Sequence, residues 1–194
     1  MRFLKSTNNM MKKGNICLLL SIILINGCFS EKHLEFESIP IDGSLDIFAD
    51  ELIKLGFNEA QSTKENQLKL NGVFLGKECE IYVDGTGQTQ TAYEVTVNMP
   101  VEVMDSLVKS YGEMQKLYKL KYGNGTSRYQ QYKDADRFLF NEPKRTRRLS
   151  KGDFTRYRTK SGIIVLEVRE GYISITYSDK LNTEIMKREL EETD

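Results

Sequence analysis

The chain has 194 residues with 28 Lys+Arg, 28 Asp+Glu and one histidine, so its formal charge is zero. Four of the bases, Arg2, Lys5, Lys12 and Lys13, precede position 28 with no acid among them, which leaves 24 bases against 28 acids in residues 28–194, a charge of −4. That balance excludes general nucleic-acid binding, which needs a broad basic surface.

Residues 1–27 have the parts of a secretory signal: a basic opening, an apolar stretch from Ile16 to Ile25, and the small Gly27 before Cys28. The stretch is about ten residues, whereas a spanning helix needs roughly 20. The order Leu24-Ile25-Asn26-Gly27-Cys28 resembles a bacterial lipobox. That resemblance implies cleavage between Gly27 and Cys28, a diacylglycerol on the Cys28 thiol and acylation of the new amino group. A signal cut elsewhere and a spanning helix are the alternatives. Met10 and Met11 compete with Met1 as the start. No aspartate follows Cys28, so the simplest inner-membrane retention signal of enteric bacteria is missing. The expected site is therefore the outer membrane, facing periplasm or surface.

Residues 28–33 are expected to form a lipidated tether, and 34–194 a single domain. A mature chain of 167 residues can bury about 70% of its unfolded surface. Once Cys17 leaves with the signal and Cys28 carries lipid, Cys79 stands alone, so the fold must depend on its core.

In the domain, Leu34-Glu35-Phe36-Glu37 alternates as a strand does. Ser44 is an N-cap type. A helix to about Leu55 places Leu45, Phe48, Ala49 and Leu52 on one face. Gly56-Phe57 reads as a Schellman ending. Residues 58–66 are polar and read as loop. Strands are predicted at 67–75, 77–84 and 92–99. Cys79, Ile81 and Val83 face one way in the second, and Tyr93, Val95, Val97 and Met99 share a face in the third. Pro100 then opens a helix to Tyr122, with Met104, Leu107, Val108, Tyr111, Met114 and Tyr118 at helical spacing. A short strand is predicted at Arg137–Phe140. Strands at 153–159, 162–169 and 171–178 and a helix at 181–191 close the chain. The predicted class is α+β: two tandem helix-plus-three-strand repeats, at about 34–99 and 100–180, forming an antiparallel sheet covered by helices on one face.

The run His33-Leu34-Glu35-Phe36-Glu37-Ser38-Ile39-Pro40-Ile41-Asp42-Gly43, with Leu55-Gly56-Phe57 and Gly72-Val73-Phe74-Leu75-Gly76-Lys77-Glu78-Cys79-Glu80-Ile81-Tyr82-Val83, resembles a group of uncharacterised bacterial secreted and lipid-anchored proteins. The resemblance implies fold and compartment and carries no activity. The doubled helix-plus-sheet pattern is also similar to the secreted β-lactamase-inhibitory proteins and to small outer-membrane assembly lipoproteins. That is analogy of fold, which does not fix function.

Reactive groups are sparse. His33 is the sole histidine, expected in a solvated tether, which argues against a hydrolytic triad or a His-based metal site. Cys79 alternates with core positions and reads as a small hydrophobe. Asp84-Gly85-Thr86-Gly87 lacks the lysine and Ser/Thr of a phosphate loop and the spaced oxygens of a calcium loop, so it reads as a hairpin turn. The one concentrated charge is Lys144, Arg145, Arg147 and Arg148, with Lys151, Arg156, Arg158 and Lys160 nearby. It suits an acidic partner or anionic headgroups. The competing view is a solvated edge balanced by Glu189, Glu191, Glu192 and Asp194. Tyr111, Tyr118 and Tyr122 suit either glycan stacking or helix–sheet packing, the latter favoured by spacing. No cofactor or metal is expected. The function expected is a non-enzymatic envelope lipoprotein that binds an envelope protein or anionic ligand. The alternative is a carboxylate-based glycan hydrolase.

Overall fold

The computed structural model describes residues 32–101, 104–128 and 151–192. Gly27, Cys28, the expected strand Arg137–Phe140 and the basic run Lys144, Arg145, Arg147 and Arg148 lie outside them. The described chain is α+β, with a two-stranded and an eight-stranded antiparallel sheet and three helices.

A tight hairpin opens the fold: β1 (Glu35–Phe36) pairs with β2 (Ile39–Pro40). Helix α1 (Leu45–Lys54) begins at Ser44, whose Oγ accepts from Ile47 N at 3.5 Å. It ends as expected: Gly56 turns left-handed at φ 97°, Phe57 N donates to Leu52 O, and Gly56 N donates to Ile53 O. The strands β3 (Asn58–Ala60), β4 (Gln67–Phe74), β5 (Lys77–Gly85) and β6 (Ala92–Pro100) follow. Then come α2 (Met104–Tyr122), β7 (Thr126–Arg128), β8 (Phe154–Arg158), β9 (Gly162–Arg169), β10 (Tyr172–Asp179) and α3 (Lys180–Glu191). The sheet order is β3-β4-β5-β6-β10-β9-β8-β7, so the two halves of the sequence meet at the β6–β10 pair.

Several expectations need correction. Each of the first two helices is followed by four described strands instead of three, because β3 and β7 are short polar edge strands. Their ladder partners, not a hydrophobic pattern, hold them in the sheet. Pro100 closes β6 opposite Tyr172 instead of opening α2. Tyr93 leaves the row of Val95, Val97 and Met99: a register shift places Ala92 opposite Gly85. Ala92 is fully buried and Tyr93 half-buried.

The register aligns one core-facing row across six strands: Leu70, Ile81, Val97, Ile175, Leu166 and Thr155. All six are buried. The five aliphatic members share one core with Leu45, Phe48 and Leu52 of α1 and with Leu107, Tyr111, Met114 and Tyr118 of α2. Thr155 is tolerated there because its hydroxyl is within 3.1 Å of Tyr111 OH, 2.6 Å of Gln115 Nε2 and 2.9 Å of Ser127 Oγ. Cys79 is unpaired and buried, and burial pushes its thiol up to about 11, which makes it an inert packing residue at neutral pH.

His33 is not a solvated tether residue. Its ring lies between Asp179, 3.2 Å from Nδ1, and Asp42, 3.4 Å from Nε2. Leu34 N donates to Asp179 Oδ2 at 2.7 Å, and the same carboxylate caps α3 by accepting from Asn182 N at 2.9 Å. The amino-terminal segment is thus fastened to the carboxy-terminal helix.

Glu189, expected to balance basic charge, is engaged by the β5–β6 loop. It accepts from Gln88 N at 2.7 Å and from Thr89 Oγ1 at 2.8 Å. These bonds, led by that of Gln88 N, hold its carboxyl below the ordinary value of 4.5. A depressed folded value stabilises above the unfolded one and is lost as pH falls through the folded one. Stability measured by urea unfolding should therefore drop below about pH 4.5 in the native chain, and part of that drop should vanish in Glu189→Gln. An unchanged acid profile in the variant would show that the loop contacts contribute nothing.

Candidate functional site

Because side chains alternate along a strand, the face opposite the core carries its own rows. One row is Lys69, Tyr82, Thr96, Thr176, Val165 and Arg156. A second is Asn71, Glu80, Asn98, Ser174, Glu167 and Phe154. A third is Gln67, Asp84, Glu94, Ser178, Ile163 and Arg158. This polar sheet face is the candidate binding surface.

Charge on it is divided. Glu78, Glu80, Asp84 and Glu94 lie on β5 and β6, while Arg128, Arg156, Arg158 and Arg169 lie on β7 to β9. Lys69 and Glu167 are the exceptions, and each is paired. Lys69 Nζ is 2.6 Å from Glu80 Oε1, and Arg169 Nη2 is 2.8 Å from Glu167 Oε2. Tyr82 OH donates to the other Glu80 oxygen at 2.8 Å. The Lys69 bond, then that of Tyr82, holds the Glu80 carboxyl below its usual range, and burial raises the Tyr82 phenol. The face at β5 is therefore set as a fixed acid–base–phenol array.

Among the described residues, two polar atoms on this face are removed from water without a hydrogen-bond partner: Asn98 Oδ1 and Arg156 Nε. An unpaired buried donor or acceptor costs about 1–3 kcal/mol. Arg156 is otherwise held over the Phe154 ring, 5.4 Å from its centre. The alternation expected at β8 is present, with Tyr157 buried beneath and Arg158 exposed beside Arg156. Among the residues singled out for charge, Arg156 and Arg158 are brought to this face. Asn98 gave no sequence signal, since a lone Asn in an alternating strand is ordinary; only register places it near the centre.

Beside the core lies a groove of about 430 Å³ between the β4–β5 hairpin tip and the last turns of α2. Phe74, Tyr118, Tyr122 and Tyr177 line it, with Leu75, Leu117 and Leu120 at its rim. The α2 tyrosines divide: Tyr111 and Tyr118 are buried and Tyr122 is half-buried. Tyr118 and Tyr177 share a hydroxyl–hydroxyl bond, and burial raises both phenols. Ring packing therefore takes up most of the helical tyrosine face, leaving Tyr122 nearest solvent.

Leu75 is the odd residue. It is left-handed at φ 51°, next to Gly76 at φ 74°, in a two-residue turn that favours Asn, Asp or Gly. Left-handed backbone costs a side-chain-bearing residue about 1–2 kcal/mol. Leu75 is 47% exposed, so burial in the domain returns little of that.

Among the described residues no group of three or more His, Cys, Asp or Glu side chains is placed to hold a metal ion. Among them, too, no helix is long and apolar enough to cross a membrane. Comparison with family models, with curated proteins and with solved structures finds no match to this chain.

Proposed function

We propose that this chain is a cell-envelope lipoprotein, anchored through lipid on Cys28 to the outer membrane. Its domain binds an envelope protein or an exported anionic ligand across the polar sheet face, without catalysis. The observation that carries the binding role is the pair of desolvated, unpartnered atoms Asn98 Oδ1 and Arg156 Nε on a face with divided charge. A bound partner supplies the missing bonds. An acidic segment would lie toward Arg156 and Arg158, and a basic one toward Glu80 and Glu94. The resemblance to secreted and lipid-anchored chains supports the compartment.

We also read the fold as an internal duplication. Two observations support that reading: α1 precedes β3–β6 and α2 precedes β7–β10, and in the order β3-β4-β5-β6-β10-β9-β8-β7 the last strand of each set meets that of the other. On that reading each unit contributes half of the polar face.

In-cell cross-linking of the full chain tests the reading. One dominant envelope partner is expected, lost in Cys28→Ala and weakened at least tenfold in Arg156→Ala, a cost of about 1.4 kcal/mol. Cys28→Ala should also abolish incorporation of labelled palmitate. Persisting label would remove the anchor, and capture unaffected by Arg156→Ala would remove the face.

One observation favours the hydrolase alternative. Glu94 lies directly across from Asp84 in the ladder. Burial raises its carboxyl, opposed by a 2.6 Å bond from Ser178 Oγ and aided by the Asp84 charge. Two neighbouring carboxyl groups, one of them raised by burial, are the residue types that glycoside hydrolysis uses. Glycan hydrolysis by the native chain, abolished in Glu94→Gln, would establish it; no turnover leaves binding as the role.

A further inference from the structure

We infer that the leucine-rimmed groove at the end of α2 is the surface on which the anchored domain rests against a phospholipid bilayer. The inference rests on the anchor proposed at Cys28. Cys28 precedes the clamped His33 by five residues, a stretch that reaches at most about 18 Å. An anchored domain is therefore never far from lipid. The strand that continues from His33, β1, supplies Glu35 to one wall of the groove, and Glu37 follows it there. Two of the groove's lining residues thus lie within nine positions of the anchor in sequence.

The rim has the chemistry of an interfacial contact. Leu120 is 86% exposed, Leu117 50% and Leu75 47%. Clustered exposed aliphatic residues mark an interaction surface. The left-handed backbone of Leu75 holds an aliphatic side chain at a hairpin tip, where insertion into lipid gives it the burial that the fold does not. Lys116, Lys119 and Lys121 are exposed on the same two turns of α2. They suit lipid phosphates and anionic headgroups. Lys121 Nζ lies 5.2 Å from the centre of the Tyr122 ring, an aromatic and a cation side by side, as at membrane interfaces. Glu35 and Glu37 suit the ammonium of phosphatidylethanolamine. Leucines between cations, with Glu35 and Glu37 also lining the groove, match a mixed phosphatidylethanolamine–phosphatidylglycerol surface better than a uniformly charged protein face.

The chain contains no tryptophan, so a single introduced one reports alone. The experiment uses the full chain carrying Leu120→Trp, purified from membranes. It is reconstituted into vesicles of phosphatidylethanolamine and phosphatidylglycerol that carry a brominated phosphatidylcholine. The emission should shift to the blue and lose about half or more of its intensity to bromine, as expected for a side chain at headgroup–acyl depth. Ile47→Trp, at a position 63% exposed on α1, should report water and remain unquenched. Flotation with the vesicles reads the anchor separately. A chain that floats while the Leu120→Trp reporter is unquenched overturns this surface and leaves the anchor intact. A chain that does not float overturns both. A blue shift without bromine quenching would mean that a protein covers the groove, which also overturns the inference.

Discussion

Replacing Asp179 by alanine is expected to cost the domain about 3 kcal/mol, as the sum of a lost helix cap and an unpaired buried amide. Asp179 has no exposed surface. One carboxylate oxygen caps α3 at Asn182 N and lies against His33; the other accepts from Leu34 N. Alanine removes all of these while leaving Leu34 N buried, so the loss exceeds that of an exposed cap. Asp179→Asn is the graded probe: it keeps the cap and should recover about half of the loss. Urea unfolding should show a lower midpoint with unchanged slope. Hydrogen exchange at Leu34 should accelerate in the alanine variant. A loss under about 1 kcal/mol would mean that the amino-terminal segment is not fastened through this carboxylate.

The second large effect lies at the same corner. Gly162→Ala should destabilise by about 3 kcal/mol or more, at the upper end of overpacking costs. A Cβ there would stand 2.2 Å from the Ser178 carbonyl oxygen and 3.2 Å from Leu34 Cδ2. The first neighbour is backbone of β10, paired with β9 along its length, so it cannot turn aside as a side chain can. Gly171→Ala is the comparison. It meets nothing within 4 Å but sits at φ 80°, so its cost should be only the backbone preference, about 1–2 kcal/mol. Equal midpoints for the two variants would contradict the close approach.

Legibility followed the length of each apolar pattern. Cys79, Ile81 and Val83 alternate against Glu78, Glu80 and Tyr82, and the first three are buried. Ser44 and Gly56-Phe57 bracket α1 as capping chemistry requires. The edge strands β3 and β7 left no signal because Asn58-Glu59-Ala60 and Thr126-Ser127-Arg128 have no apolar alternation; a ladder on one side holds them. The register shift that displaces Tyr93 was equally silent, because one extra residue leaves no mark on composition. Of the charged residues singled out, Arg156 and Arg158 reach the polar sheet face. Asn98, its second unpartnered residue, and the exposed Leu75, Leu117 and Leu120 carried no signal.

Local pattern was enough to set the α+β class, the core strands, the caps of α1 and the burial of Cys79. Each of these follows from short-range periodicity or from a backbone preference of one or two residues. Long-range assembly set the meeting of β6 with β10, the clamp of His33 between Asp42 and Asp179, the Glu189 bonds to the β5–β6 loop and the segregation of charge on the polar sheet face. These features join residues up to 146 positions apart. Their energies come from pairing and desolvation between distant groups, which no window of neighbouring residues contains.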